Sequence, residues 1–337
     1  MMIKVGFDIS QLAHMGGVAN YTDNLTEELA KIKDLGMVYL YCSLRKRYKG
    51  NLKNVKEYKI PPVLFEMLFN RWRNVSIEKF LGPLDIFHSS DWTQPKAKAI
   101  KVTTIHDVIP IKYPKWSHPK IVAVHKRRLA LVEKEVDMVI AVSNSTKKDL
   151  LEVSKIPEEK IAVIYEAAGK QYKPQSKERV EDFKKRMSLP NNFILAIGGV
   201  GNRRNLEKVK EATKGYNLII AGIDLPYLSL EEFPLLYAAA EMLLYPSFYE
   251  GFGLPILEAQ ACGCPVVTSN VSSMPEVVGE GAILVDPNST ADIIRGIREV
   301  GEIRDQLIVK GFENVKKFSW EKTAEETADI YRRLTGK

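Results

Sequence analysis

A glycine-rich turn between two glutamates is the part of the sequence best suited to chemistry. In the segment FYEGFGLPILEAQACGCPVV, Glu250 precedes Gly251 and Gly253, and Pro255 marks the start of a short helix. The first N–H groups of a helix have no partner within it, and they lie at the positive end of the helix dipole. Because glycine has no Cβ, an anion can approach this backbone closely. The pattern therefore predicts a binding site for a diphosphate.

The two glutamates of this segment suggest separate roles. We place Glu258 in the first helical turn, where the dipole favours a carboxylate, and expect it to accept hydrogen bonds from vicinal hydroxyls such as those of a ribose. Glu250 lies on the loop and would address a sugar that is to be transferred. The alternative is an ordinary turn, in which Glu250 is a solvated loop residue and Glu258 only stabilises the helix.

Two adjacent arginines follow the first strand of the C-terminal half. In ILAIGGVGNRRNLEKV, Arg203 and Arg204 come after a glycine-rich turn between a strand and a helix, which is where phosphates bind in α/β proteins. Guanidinium groups form charge-assisted and often bidentate hydrogen bonds with phosphate oxygens. The alternative for this pair is plain surface charge.

The candidate for polar chemistry in the N-terminal half is His106, in the segment VTTIHDVIPIKYP. It lies with Asp107 just past the end of a predicted strand, where ligands bind in open α/β sheets. This position suits a functional role for the histidine. A histidine beside an acid can also form a purely local hydrogen bond. Gly16 and Gly17, after the first strand, either border the same ligand or merely begin a helix.

Short apolar runs alternate with longer amphipathic stretches, which is typical of βα units around parallel sheets. In the first half the predicted strands are Ile3–Ile9, Met37–Cys42, Asp85–His88, Val102–Ile105, Met138–Val142 and Ile161–Ile164. In the second half they are Phe193–Ile197, Leu218–Ala221, Met242–Tyr245, Val266–Thr268 and Ile283–Val285. Each set predicts one sheet.

A polar segment from Glu166 to Leu189, which contains Pro174, separates the two sets of strands. We therefore predict an N-terminal, acceptor-side domain over residues 1–172 and a C-terminal, donor-binding domain over residues 173–319. Residues 320–337 form a last helix with apolar residues at helical spacing, so this helix has a face to bury and could cross back to the N-terminal domain.

Composition excludes several classes of protein. The chain has 337 residues, of which 45% are hydrophobic and 27% charged, as in a folded protein of two ordinary domains. No apolar run reaches the roughly 20 residues that span a bilayer, and the N-terminus lacks a signal-peptide pattern, so we expect a cytoplasmic protein. The cysteines, Cys42, Cys262 and Cys264, lack metal-ligand spacing and are expected to be reduced.

The sequence EGFGLPILE, followed by ACGCPVV, resembles the signature of the retaining glycosyltransferases of family 4. The resemblance extends over nearly the full chain. It implies an α/β protein of the GT-B architecture, with two Rossmann-like parallel-sheet domains facing a central cleft. SSMPEVVG and the RRN turn look most like those of mannosyltransferases.

The resemblance also implies roles for individual residues. His106 and Glu250 would be catalytic, with His106 facing the transferred sugar as a neutral imidazole that donates to its hydroxyls and Asp107 in a supporting place. Arg204 matches a diphosphate-binding lysine of the family, and Gly199 stands where some relatives have an arginine, which leaves more of the charge to Arg204. The residues implied in donor binding are Arg203, Arg204, Gly251, Phe252, Gly253, Leu254 and Glu258. Gly16, Gly17 and Asp107 would lie on the acceptor side or along the cleft.

The activity implied by the resemblance is the transfer of a hexose from a nucleotide-diphosphate sugar to a hydroxyl of a glycan or lipid-linked acceptor. Transfer would retain the anomeric configuration and need no metal or other cofactor. GDP-mannose is favoured as the donor and UDP-glucose is next. A sugar-nucleotide epimerase of the same architecture is the alternative. The Gly-x-Gly-x-x-Gly pattern of nicotinamide dehydrogenases is absent after the first strand, and no motif for reading nucleic acid accompanies the basic residues.

The net positive charge of the chain comes from its N-terminal half. Up to Lys170 the chain has 28 Lys and Arg against 19 Asp and Glu, and beyond it 21 against 23. The segment LFEMLFNRWRN suits an amphipathic helix in an anionic membrane interface, because apolar residues recur near helical spacing beside two arginines. Its residues are Leu64, Phe65, Leu68, Phe69 and Trp72, with Arg71 and Arg73. The segment would either contact the inner face of a membrane or pack on the N-terminal sheet.

Overall fold

The chain divides into two compact units. A computed structural model describes residues 2–14, 16–89, 91–199, 202–225 and 228–337. One unit comprises Met1–Glu166 and Trp320–Lys337, and the other comprises Ala167–Ser319. The division falls a few residues before the boundary predicted between residues 172 and 173. Tyr172 is buried and its ring lies 6.0 Å from that of Tyr237, so this polar-looking segment already belongs to the second unit.

A seven-stranded sheet forms the centre of the first unit. Its strands are β1 (Ile3–Asp8), β2 (Leu35–Cys42), β3 (Val55–Tyr58), β4 (Ile86–Ser89), β5 (Ile100–Ile105), β6 (Met138–Ala141) and β7 (Ile161–Val163). All neighbours are parallel, in the order β3-β2-β1-β4-β5-β6-β7. Every residue of β4 and β6 is buried, and β6 is accordingly a continuous apolar run in the sequence, whereas β4 also contains His88 and Ser89.

One strand of this sheet, β3, is missing from those that the sequence predicts. It lies at the edge of the sheet beside β2, and its residues are half-buried or exposed. A strand that is covered so little does not need an apolar run, and its sequence, VKEY, has none. The hydrophobic pattern therefore gives no indication of it.

The second unit is built on a five-stranded parallel sheet. Its strands are β8 (Ile194–Ile197), β9 (Leu218–Ala221), β10 (Met242–Tyr245), β11 (Val266–Ser269) and β12 (Ala282–Val285), all at the predicted places. The order is β12-β11-β10-β8-β9, so β8 and β10 are neighbours although β9 lies between them in sequence. The chain changes direction across the sheet at this pair, and ligands bind at such switch points in open α/β sheets.

Helices connect the strands in both units. In chain order they are α1 (Gly17–Leu29), α2 (Pro62–Glu66), α3 (Glu78–Leu81), α4 (Ile109–Lys112), α5 (Pro119–Glu135), α6 (Asn144–Val153), α7 (Lys177–Arg186), α8 (Leu206–Ala212), α9 (Phe233–Ala239), α10 (Leu254–Ala261), α11 (Met274–Val278), α12 (Thr290–Val315) and α13 (Trp320–Thr335). Within the described ranges, no helix is long and apolar enough to cross a membrane.

The last helix, α13, belongs to the first unit although it follows the second in sequence. Its apolar face is buried, as the helical spacing predicts, through Trp320, Ala324, Ala328 and Tyr331. The hydroxyl of Tyr331 lies 2.6 Å from Nδ1 of His88 on β4. The first unit is therefore assembled from both ends of the chain.

The segment LFEMLFNRWRN does not form one amphipathic helix. It forms the end of α2 and a π-helix over Met67–Trp72. Phe65 and Phe69 are buried in a cluster with β2 and β4, and Arg73 is buried with its Nη2 atom 2.5 Å from Glu135. For these three residues the prediction of a membrane-facing side chain is wrong, because the sheet covers the rings and a carboxylate pairs the guanidinium.

Three neighbouring apolar residues stay at the surface. Val63 is 71% exposed, Trp72 52% and Leu64 38%. Arg71 is also half exposed, although its Nε atom lies 3.2 Å from Glu66. We call Val63, Leu64, Arg71 and Trp72 the exposed patch.

Candidate active site

His106 directly follows β5 and is held by a carboxylate from another strand end. Its Nδ1 atom lies 3.0 Å from Oε1 of Glu166, which follows β7, and both side chains are largely buried. The ring of Tyr21 on α1 packs edge-on against the imidazole, with 4.6 Å between centroids and an interplanar angle of 86°. Since a carboxylate can only accept, Nδ1 carries a proton directed at Glu166.

The pKa of His106 is raised above its usual value. Burial lowers it, but the hydrogen bond to Glu166 and the negative charges of Glu166, Asp91 and Asp107 together outweigh burial. The imidazolium therefore persists to higher pH than in a solvated histidine, and the neutral imidazole stays a prediction. With Nδ1–H directed at Glu166, only the charged ring carries a second N–H at Nε2, and among the described residues none hydrogen-bonds to that atom.

A buried chain of hydrogen bonds fixes the ring of Tyr21 from behind. Its hydroxyl lies 3.0 Å from Oγ1 of Thr104, and Thr104 lies 2.9 Å from Nε2 of His88, which also contacts Tyr331. Burial, and after it the positive charges of His106 and Arg128, lower the pKa of His88 to about 3. His88 is therefore a neutral structural residue, and its partners support the wall against which His106 packs.

Asp107 and the two N-terminal glycines lie at the starts of helices. Oδ1 of Asp107 accepts a hydrogen bond of 2.9 Å from the backbone N–H of Ile109 at the start of α4. Gly16 has a φ of +128° and immediately precedes α1, which begins at Gly17. A Cβ on either glycine would meet no atom within 4 Å. The first unit thus leaves space around these glycines, and only at Gly16 does the backbone require glycine.

In the second unit, the two candidate arginines converge on one of the candidate glutamates. Nη1 of Arg203 lies 2.8 Å from Oε2 of Glu250, and the hydroxyl of Tyr245 donates to Oε1 over 2.9 Å. Nε of Arg204 lies 3.4 Å from Oε1. The arginines follow β8 and Glu250 follows β10, the adjacent strands of the switch point. Val200 and Gly201 of the predicted glycine-rich turn lie outside the described residues.

The guanidinium of Arg204 is buried, although two of its nitrogen atoms form no hydrogen bond with the described residues. Its guanidinium lies 4.6 Å above the ring of Tyr245, and burial lowers its pKa while Glu250 raises it. Its Nε and Nη1 atoms are buried and have no hydrogen-bond partner among the described residues, because the contact with Glu250 lacks hydrogen-bond geometry. A buried unsatisfied donor on a charged group is costly, so these atoms mark a place where an anion would be strongly favoured.

The glycine-rich turn enters α10 as predicted. Gly253 has a φ of +108° and directly precedes Leu254, and Pro255 occupies the second helical position. A side chain at residue 253 would be strained by that φ, so glycine is required for this turn. Phe252 is buried, and its ring lies 6.0 Å from that of Phe318. Gly251 and Leu254 are also buried, so the turn is a rigid part of the second unit.

The placement of Glu258 in the first helical turn is wrong. Because α10 begins at Leu254, Glu258 lies in its second turn, and the first turn contains no acidic residue. Its carboxylate is buried and accepts a hydrogen bond of 2.8 Å from the hydroxyl of Tyr237. Its negative charge nevertheless acts on Arg204. The helix dipole therefore does not stabilise the carboxylate of Glu258 as predicted, but Glu258 is close enough to Arg204 for their charges to interact.

Several residues of these two clusters are missing from the sequence-based candidates. Glu166 is the most important, and its position gave an indication of it: it follows β7 at the sheet edge where His106 follows β5. Tyr21, Tyr237 and Tyr245 carry no such indication, because buried tyrosines are common in cores. Within the described part of the chain, no group of three or more His, Cys, Asp or Glu side chains could hold a metal ion.

Each unit is thus a parallel α/β sheet with polar candidates at the carboxyl ends of its strands, as in proteins that act on nucleotides. The family model "Glycosyl transferases group 1" matches residues 134–313, which is more than half of the chain. The model "Glycosyltransferase Family 4" matches residues 15–167. The chain therefore belongs to the family 4 glycosyltransferases, which are retaining hexosyltransferases.

Named relatives agree with this membership. The chain is 30% identical over 291 residues to the O-antigen chain mannosyltransferase B of Escherichia coli. The aligned region covers 74% of each protein. It is 26% identical over 272 residues to the serotype-specific mannosyltransferase WbdA of the same organism. The aligned region covers 33% of WbdA. The chain thus spans only about a third of the longer enzyme.

Solved structures show the same fold. Sucrose-phosphate synthase from Thermosynechococcus elongatus superposes with a TM-score of 0.77 at 19% identity, covering 99% of both chains. HepE of Anabaena, in complex with UDP and glucose, superposes with a TM-score of 0.69 at 15% identity, covering 98% of this chain and 99% of HepE. These likenesses confirm two parallel-sheet α/β domains of the GT-B kind.

Proposed function

We propose that this glycosyltransferase transfers a hexose from a nucleoside-diphosphate sugar to a hydroxyl of a glycan or lipid-linked acceptor. The observation that carries the proposal is the buried guanidinium of Arg204, whose Nε and Nη1 atoms have no hydrogen-bond partner in the part of the chain that the structure describes. A diphosphate supplies several anionic oxygens and so satisfies both donors at once. Arg203 adds a second positive charge that also contacts Glu250.

The donor residues divide according to the parts of the donor. Arg203, Arg204 and the N–H groups at the start of α10 hold the diphosphate, and Glu258 holds the ribose. Gly251, Phe252, Gly253 and Leu254 shape the turn along which the donor lies. Glu250 addresses the transferred sugar, and its bonds to Arg203 and Tyr245 fix its orientation for that purpose. His106 donates from Nε2 to a hydroxyl of that sugar, with Asp107, Gly16 and Gly17 on the acceptor side.

The transfer breaks the bond between the anomeric carbon and the diphosphate oxygen and forms a bond from that carbon to the acceptor oxygen on the same face. The proton of the acceptor hydroxyl passes to the departing diphosphate. Arg203 and Arg204 stabilise the negative charge that develops on this leaving group, which is the role a divalent ion has in other transferases. We therefore expect the reaction to need neither a metal nor another cofactor.

GDP-mannose is the favoured donor because the two relatives named above, mannosyltransferase B and WbdA, are mannosyltransferases. UDP-glucose is the second choice because HepE has been solved with UDP-glucose. Thermal unfolding with each nucleotide sugar ranks the two directly, since a ligand that binds only the folded state raises the melting temperature. A larger shift with UDP-glucose than with GDP-mannose would reverse the order.

The decisive test of the diphosphate site is Arg204→Met, with Arg295→Met as the matched control. Arg295 is an exposed arginine of the same unit, paired with Asp292 and Glu299. Loss of a buried charge-assisted contact costs about 2–5 kcal/mol, so nucleotide affinity should fall at least about thirtyfold in the first variant and stay unchanged in the second. Equal affinity in both variants, measured by calorimetry, would remove the diphosphate from this site.

The epimerase alternative makes a different prediction about products. An epimerase converts the donor without an acceptor, whereas a transferase releases nucleoside diphosphate in proportion to an acceptor. Incubation of the preferred donor with and without lipid-linked oligosaccharide, followed by chromatography of the sugar nucleotides, separates the two. A changed sugar on an intact nucleotide would contradict transfer.

We also propose that the enzyme contacts the inner face of an anionic membrane through the exposed patch. Val63, Leu64 and Trp72 supply apolar surface that nothing in the described part of the first unit covers, and Arg71 lies among them. Basic residues near an anionic surface contribute about 1 kcal/mol each and are screened by salt. Such contact would bring the enzyme to lipid-linked acceptors.

The membrane proposal is tested with Val63→Asp and the matched control Val309→Asp. Both valines are exposed, by 71% and 57%, but Val309 lies in the second unit. Sedimentation with phosphatidylglycerol vesicles at low salt should decrease for the first variant only. The membrane proposal would be contradicted if the wild-type protein preferred neutral vesicles, or if the two variants bound anionic vesicles equally well. A soluble glycan would then be the better candidate for the acceptor.

A further inference from the structure

We propose that Glu166 is the positioning residue of His106: it holds Nδ1, orients the ring and keeps Nε2 a hydrogen-bond donor toward the substrate. The proposal rests on the role assigned to His106 in the proposed function. The residues that carry the resemblance to the family do not include Glu166. From the sequence, Asp107 was the one charged neighbour expected for His106.

The geometry carries the proposal first. Glu166 is among the buried charged residues of the first unit, and its Oε1 atom lies 3.0 Å from Nδ1 of His106. Tyr21 packs edge-on against the same ring, so the imidazole is held by a hydrogen bond at Nδ1 and by an aromatic contact. A ring fixed in both ways points Nε2 in a single direction, which is what preorganised donation requires.

The charges around the ring determine its protonation state. Glu166 after β7, Asp91 after β4 and Asp107 after β5 are negative, and each favours the imidazolium. Arg128 on α5 lies nearer Asp91, 3.8 Å from its carboxylate, and His88 is neutral because burial lowers its pKa. Glu166 is the acid that also makes a hydrogen bond to the ring, so it contributes more than the two aspartates.

The consequence for pH follows from the sign of the shift. The pKa of His106 in the folded protein is raised, so the proton on Nε2 is present at acid pH and is lost as the pH rises through that raised value. Without the carboxylate, burial would dominate and the pKa would fall. Donation from Nε2 would then disappear at a lower pH than in the wild-type enzyme.

Glu166→Gln tests this, because the amide keeps the size of the side chain and removes the charge. In NMR titration of the imidazole signals, His106 should bind protons about tenfold more weakly in the variant. Transfer at alkaline pH should have a kcat about tenfold below wild type, whereas below both pKa values the two enzymes should converge. The KM for the donor should change less than kcat.

A matched control separates positioning from general damage. Glu135→Gln removes the carboxylate of another ion pair in the same unit, the pair with Arg73 at 2.5 Å. It should lower stability without changing the proton affinity of His106 or the pH profile. If Glu166→Gln does not fold, Glu166→Asp retains the charge one methylene further from the ring, and it should shift the alkaline limb to lower pH by less.

The outcomes separate this proposal from the proposed function. An unchanged proton affinity of His106 in Glu166→Gln or Glu166→Asp overturns the positioning role, whatever the transfer rate. A loss of kcat by the same factor at every pH also overturns it, since that is the result of structural damage. Wild-type transfer by His106→Ala would instead refute the role of His106 in the reaction, and the same variant assigns the NMR signal.

Discussion

Glu250→Gln is the substitution whose effect can be worked out most fully from the structure. The carboxylate has three neighbours: Arg203 at 2.8 Å, Tyr245 at 2.9 Å and Arg204 at 3.4 Å. Glutamine keeps an acceptor for Tyr245 or Arg203, but it removes the negative charge that compensates the buried guanidinium of Arg204. We therefore expect Glu250→Gln to destabilise the second unit as well as to lower turnover.

The magnitude follows from two bounds. Breaking a buried ion pair by removing one partner costs about 3–5 kcal/mol, and a hydrogen bond to a charged group contributes about 1.5–3 kcal/mol. Because the amide retains part of the hydrogen bonding, about 2 kcal/mol is expected. The second unit, Ala167–Ser319, is a domain of about 150 residues, in which each kcal/mol lowers the melting temperature by about 2–4 °C. Glu250→Gln should thus lower Tm by about 4–8 °C.

The assay is thermal unfolding followed by circular dichroism, with Glu299→Gln as the control. Glu299 pairs with Arg295 at 2.5 Å, so the contact is as short as any in the Glu250 cluster, but both side chains are exposed by more than a third. An exposed pair contributes about 0–1 kcal/mol, so the control should lose little. If both variants unfold at the wild-type temperature, the compensation of Arg204 by Glu250 is not a source of stability.

Three further results are expected. Glu258→Gln should weaken nucleotide binding more than turnover, because the carboxylate is assigned to the ribose; unchanged affinity in an active variant would remove that assignment. Tyr331→Phe should lower the stability of the first unit by about 1 kcal/mol in denaturant titration, because it removes a buried partner at 2.6 Å from His88, and an unchanged midpoint would show that this bond contributes nothing net. Chelators should leave transfer unaffected, and an absolute requirement for a divalent ion would contradict charge stabilisation by the arginines.

Much of the fold was predictable because buried parallel strands leave a strong pattern. β6 is buried throughout, so it is an apolar run that could hardly be missed. Ser143 caps α6 by accepting from the N–H of Thr146 over 2.9 Å, and serine is among the residues that sequence favours at this position. β3 was not predictable, because an exposed edge strand is specified by pairing with β2 and not by its own composition.

The site residues that belong to a local sequence motif were predictable. The contacts between residues on different strands were not. Arg203, Gly253 and Glu250 belong to turns whose residue types limit the backbone and the ligand. The pairing of His106 with Glu166 joins residues that are 60 positions apart, and only the order of strands brings them together. The error at Glu258 arose from the helix start, since one or two residues decide whether a side chain lies in the first turn.

The return of α13 to the first unit has a consequence for how the protein is made. During synthesis the chain emerges from its N-terminus, so β1 to β7 leave the ribosome long before Trp320 and Tyr331 exist. Until then His88 lacks one of its two hydrogen-bond partners, Tyr331, and α1 lacks the helix that covers it. The second unit, Ala167–Ser319, is continuous and can complete its core first. The half of the enzyme that is translated first is therefore the half that finishes folding last.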